Sequence, residues 1–148
     1  MKVDDQTEEK VRNALHWAVK RREHEFDASL ATFSTRSERS TALELLIAVS
    51  RFVTSDICAG VPSSAQVTAL AAEISATESW STVSTDEITA FLTLAARDDP
   101  AVDGLSAETF VVTAFVVTAS LLAMRPKQEG QWWFDYLDQV ESALEATG

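Results

Sequence analysis

The stretch Phe110–Met124, FVVTAFVVTASLLAM, carries no charge over fifteen residues, and whatever encloses it sets the fold. Thr109, Val111, Val112, Thr113, Val116, Val117 and Thr118 are β-branched, which favours a strand. Length argues the other way, because an unbroken apolar run of this kind is long for a strand and ordinary for a buried helix. No second segment reads as a strand to pair with it, and a lone strand would leave its backbone polar groups unsatisfied. We therefore read a core helix near 107–124, with Ser106 as its cap and Glu108 in its first turn. It is too short to span a bilayer and is interrupted by Thr113, Thr118 and Ser120, so no membrane segment is expected.

The rest of the chain points the same way. Four Gly and three Pro are too few for an all-β domain, which needs a turn about every 8–12 residues. The 46% hydrophobic content is enough for a real core, and 148 residues suit a single domain spanning 1–148.

Apolar spacing and capping signals predict about six helices. The first covers about Thr7–Phe33, with Leu15, Val19, Phe26, Leu30 and Phe33 at threes and fours and Arg22 at the missing step. A bend is expected near Asp27–Ser29. The second lies near 41–58, after a capping signal at Thr35 and Glu38. It carries two apolar stripes, one of Leu43, Leu46, Ile47, Val53 and Ile57, the other of Leu45, Val49 and Phe52, so most of its surface should be buried. Gly60 is expected to supply a left-handed closing residue, and Pro62 blocks continuation.

Ser63 with Gln66 opens a third helix carrying Val67, Leu70, Ala71 and Ile74, which ends near Thr77. Ser84 with Glu87 opens a fourth, carrying Ile88, Phe91, Leu92 and Ala95, with Arg97 in its last turn and Pro100 beyond. The apolar run is the fifth. After a turn at Pro126–Gly130, a sixth spans about Gln131–Ala146, with Trp133, Leu137, Val140 and Leu144 on one face. The expectation is an all-α, single-domain bundle in which the helices near 41–58 and 107–124 are central.

Motifs exclude more than they assign. His16 and His24 are eight residues apart, roughly 12 Å along a helix axis, too far for one metal ion. The single Cys58 rules out an internal disulfide and a cysteine zinc cluster. No GxSxG, GxGxxG or GxxxxGK[ST] is present, so neither a serine-nucleophile elbow nor a phosphate-cradling loop is encoded. Asp98, Asp99, Asp103 and Gly104 invite a calcium reading. An EF-hand alignment from Asp99 then puts Ala101 and Phe110 where oxygen ligands are required. Thr109, Thr113 and Ser120 share a stripe of the fifth helix, where they would either line a ligand cleft or bond back to the helix itself. No catalytic, cofactor or metal residue is assigned.

Charge and aromatics supply the functional expectation. The formal charge of −11 is unevenly spread: residues 1–60 hold nine Lys/Arg against ten Asp/Glu, and residues 61–148 hold three against thirteen. The second part repels nucleic-acid phosphate and attracts a basic partner. Lys20-Arg21-Arg22 is interleaved with acids and reads as a solvated helix face. In the last helix Trp132, Trp133, Phe134 and Tyr136 stand beside Asp135 and Asp138. Consecutive aromatics cannot all face one core, so Trp132 or Tyr136 should lie at the edge. Trp132, Asp135, Tyr136 and Asp138 are the predicted protein-binding residues.

The leading expectation is a non-enzymatic acidic interaction module: an adaptor, an inhibitor or an immunity-type protein. One alternative is a small-molecule-binding bundle or sensor, lined by the hydroxyls of the fifth helix. Another is a homo-oligomeric assembly subunit, a second copy being the partner. The charged start MKVDDQTEEK lacks an apolar h-region, which with the lone cysteine suggests a cytoplasmic protein.

Overall fold

The computed structural model describes residues 5–97, 107–124 and 132–147. Among them all regular structure is helical, in seven helices. In chain order these are α1 (Asp5–Val19), α2 (Glu23–Leu30), α3 (Arg36–Cys58), α4 (Ser64–Thr77), α5 (Thr85–Arg97), α6 (Ala107–Met124) and α7 (Trp133–Thr147). The Asp98–Gly104 loop and the Pro126–Gly130 turn lie outside the described residues.

The charge-free run is helical, as α6. Phe115, Val117, Leu121 and Leu122 are fully enclosed, and α1, α3, α4, α5 and α7 all touch the helix. Its most extensive partner is α3. Enclosing Phe115 alone contributes about 2–3 kcal/mol. Its ring meets Phe33 at 5.7 Å and Phe26 at 6.2 Å. A polar contact crosses the centre: the hydroxyls of Ser50 and Thr118 lie 2.8 Å apart, both fully buried. Each satisfies the other, and that removes most of the cost of burying them.

The count of six becomes seven because the first predicted helix is two. The chain breaks at Lys20–Arg22, not at Asp27–Ser29. Arg21 adopts a left-handed backbone, φ 56°. The amide of Arg21 bonds the carbonyl of Ala18, and the amide of Arg22 bonds that of Trp17. This is the double closure with which helices commonly end, made here on an arginine where glycine is usual. The left-handed turn costs roughly 1 kcal/mol on a side-chain-bearing residue. Arg22, read as the missing step of the apolar stripe, is exposed. Tertiary contact opposes the strain: the guanidinium of Arg21 reaches Glu78 at 3.2 Å, and the indole of Trp80 donates to the same carboxylate. Glu78 is only 5% exposed.

The other boundaries follow the capping chemistry. Ser63 with Gln66 and Ser84 with Glu87 form reciprocal capping boxes. Thr35 accepts from the amide of Glu38, but Glu38 turns its carboxylate to the hydroxyls of Thr35 and Ser34 and to Lys10. Pairing with Lys10, helped by those hydroxyls, holds the Glu38 carboxyl below its ordinary range. At the end of α3 the left-handed residue is Ala59, not Gly60; Gly60 follows it at φ 131° and donates to the carbonyl of Ser55. Glycine is still needed at 60, since L-residues rarely adopt that φ.

Candidate functional site

The first turn of α7 is built from its own capping. Asp135 accepts from the amide of Trp132 at 2.9 Å, and the amides of Asp135 and Tyr136 return to the carbonyl of Trp132. This fixes where the four neighbouring aromatics point. Trp133 is half-buried against the core, and Tyr136 is buried at 4% exposure. The hydroxyl of Tyr136 donates to Asp56 at 2.7 Å, bringing the start of α7 against the last part of α3. Trp132 and Phe134 are left outside, 61% and 42% exposed. Their rings stack at 6.1 Å with 19° between planes. Such a stacked pair presents a flat apolar surface to whatever approaches.

The adjoining face of α3 is open as well. Phe52, expected on a buried stripe, is 39% exposed. Together with Ala48, Arg51, Ser55 and Asp56 it lines a cleft of about 440 Å³. Arg51 crosses from α3 to donate to the carbonyl of Ala95 at 2.7 Å, in the last turn of α5, where a cation is favoured by the helix dipole.

The four predicted site residues thus divide. Trp132 is the exposed edge aromatic. Tyr136 is not at the edge; it is buried and joins α7 to α3. Asp135 caps its own helix. Asp138 is 62% exposed at its side chain but ion-paired with Arg12 of α1 at 2.6 Å. Arg12 also binds Glu8 at 2.9 Å and Glu141 at 2.9 Å, so one guanidinium serves three carboxylates from two helices. Burial pulls its pKa down, but the three carboxylates outweigh that and keep it firmly charged. Burial pushes the Glu141 carboxyl above its usual range, against the opposing pull of Arg12. One oxygen of Glu141 is buried without a hydrogen-bond partner among the described residues.

Sequence reasoning did not find this cluster, nor Phe52 and Asp56. Only the Glu8–Arg12 spacing of four was visible along the chain. The links from Arg12 to α7 and from Asp56 to Tyr136 span 126 and 80 residues, and no local pattern encodes them.

Of the hydroxyls expected to line a ligand cleft in α6, Thr113 and Ser120 are interior, at most 3% exposed. The α3 cleft is lined by other residues, as is a second cleft of about 250 Å³ between α4 and α5. The side chain of Thr109 lies outside the described residues. His16 packs edge-on to Trp17 at 4.8 Å, and His24 is exposed beyond the break. No group of three metal-ligating side chains occurs among the described residues. Cys58 is a free thiol whose pKa burial pushes up, which disfavours the thiolate. Among the described residues no helix is long and apolar enough to cross a membrane. Comparison with protein-family models, with curated proteins and with solved structures gives no match.

Proposed function

We propose that this chain is a non-enzymatic, acidic protein-interaction module, an adaptor, inhibitor or immunity-type protein, that binds a basic partner at the edge where α7 begins beside α3. The observation that carries this reading is the stacked, exposed pair Trp132–Phe134 in a chain of charge −11. Exposed aromatics supply binding energy at the centre of an interface, and surrounding carboxylates steer a cationic partner and select against an acidic one. Phe52 and the cleft beside Asp56 extend the surface onto α3. Because Asp135 and Asp138 already serve α7 itself, affinity rests on Trp132 and Phe134, and the carboxylates act on the rate of encounter. A cytoplasmic location belongs to the same reading, resting on the single free thiol of Cys58.

The test is affinity capture from native lysate at low and at high salt, with Trp132→Ser plus Phe134→Ser as the comparison. Both residues are exposed, so the double variant should keep its helical content and melting temperature. Capture of a basic protein by the parent chain, weakened by salt and abolished in the variant, is the expected result. Capture that survives the double substitution would remove this edge as the interface.

The α3 cleft supports a second reading, as its volume lies in the range of small-molecule sites. A thermal-shift screen whose hits disappear on Phe52→Ala would favour it.

A further inference from the structure

The elbow between α1 and α2 contains a contradiction that points to a second copy of the chain. The apolar residues Leu15, Val19, Phe26 and Leu30 keep helical spacing straight through the break. A continuous helix from Asp5 to Leu30 would be 26 residues long, about 39 Å. The chain instead reverses within Lys20–Arg22, and α2 lies back along α1, with Asn13 Nδ2 donating to Ser29 Oγ at 3.2 Å. The reversal depends on a left-handed arginine. The helix that follows starts without a side-chain cap: Arg22 occupies that position and makes no such bond. Apolar spacing therefore favours one straight helix, and the fold-back is held by the closing bonds of the turn together with the tertiary pull of Glu78 on Arg21.

We propose that this elbow is an exchange hinge. When it straightens, α1 leaves its own bundle and takes the equivalent place in a second copy, giving a dimer in which two α1 helices are swapped. The occupant must be another copy, because the cradle of α1 is specific to it. The contacts α1 makes with α3 and α7, through Lys10 to Glu38 and Arg12 to Glu141, would re-form unchanged between chains. Only the elbow differs between monomer and dimer, and there the dimer relieves the left-handed backbone. Short hinges under strain are the usual sites of such exchange.

Residue 21 sets the balance. Arg21→Ala removes the pull of Glu78 and keeps the left-handed penalty, so it favours the straight hinge. Arg21→Gly also removes that pull but abolishes the penalty, so it favours the reversal. The two variants should differ about fivefold per hinge, about thirtyfold in the dimer dissociation constant. The experiment is to unfold each chain, refold it at high concentration and measure mass by light scattering. A dimer for Arg21→Ala and a much weaker one for Arg21→Gly is expected. Equal masses at every concentration would overturn the proposal.

Exchange is separated from surface association by placing Asn13→Cys and Ser29→Cys in an Arg21→Ala, Cys58→Ser chain. After the same refolding, a short bismaleimide bridges positions 13 and 29. Exchange links two chains, seen as a covalent dimer on a denaturing gel. A light-scattering dimer whose links all fall within one chain would mean that the copies meet by their surfaces, and would overturn the hinge.

Discussion

Helices α6 and α7 are neighbours in sequence and opposites in how they are held. α6 is enclosed on nearly every side by apolar contact, and the hydroxyl of Ser50 reaches that of Thr118 across the centre. α7 buries a narrow strip of Tyr136, Leu137 and Val140, and is tied at one side by the guanidinium of Arg12 and at another by the carboxylate of Asp56. The difference teaches where a binding surface can sit. A helix buried all round has no face left to offer. One held by a strip and a few polar links keeps its remaining aromatics, Trp132 and Phe134, available to a partner.

The contrast makes graded predictions, each measured by urea unfolding. Phe115→Ala opens a cavity among aromatic rings on the most buried helix and should cost about 3–4 kcal/mol. Arg12→Ala leaves three carboxylates facing one another, one of them half-buried, and should cost about 2–3 kcal/mol, reduced from a fully buried pair by partial exposure. Removing the partner instead, with Asp138→Ala, should cost under about 1 kcal/mol, because that carboxylate is mostly in water. If the two changes prove equal, the seam is not organised around Arg12. Ser50→Ala strands the hydroxyl of Thr118 in the core and should cost about 1–2 kcal/mol; adding Thr118→Val should restore most of it. A double variant as unstable as the sum of the singles would show that the pair is not a mutual contact.

Most of the fold could be read along the chain because it depends on local signals. Ser63, Ser84 and Thr35 mark helix starts through side-chain chemistry confined to four residues. Phe110–Met124 marks the centre by composition alone. The elbow at Arg21 was not legible, since a local pattern favouring one helix is overruled by Glu78 and Trp80, more than fifty residues away. The same holds for Ala59, which takes the left-handed position one residue before the glycine best suited to it.

The candidate site was legible in part. Spacing required some of the aromatics at 132–136 to face outwards, and Trp132 and Phe134 do. It could not say that Tyr136 turns inwards, because that choice is made by Asp56 on α3. Nor could it say that Asp138 is already paired, because Arg12 lies in the first helix. Carboxylates that look available in a sequence are often the ones a distant cation has claimed.

Amide hydrogen exchange along Val111–Leu122 tests the central claim, that α6 is a rod enclosed by its neighbours, more directly than any substitution. These amides should be the slowest in the molecule, opening only with global unfolding, while those in the first turn of α7 exchange much sooner. Exchange across Val111–Leu122 as fast as at the start of α7 would contradict the enclosed helix and the surfaces placed around it.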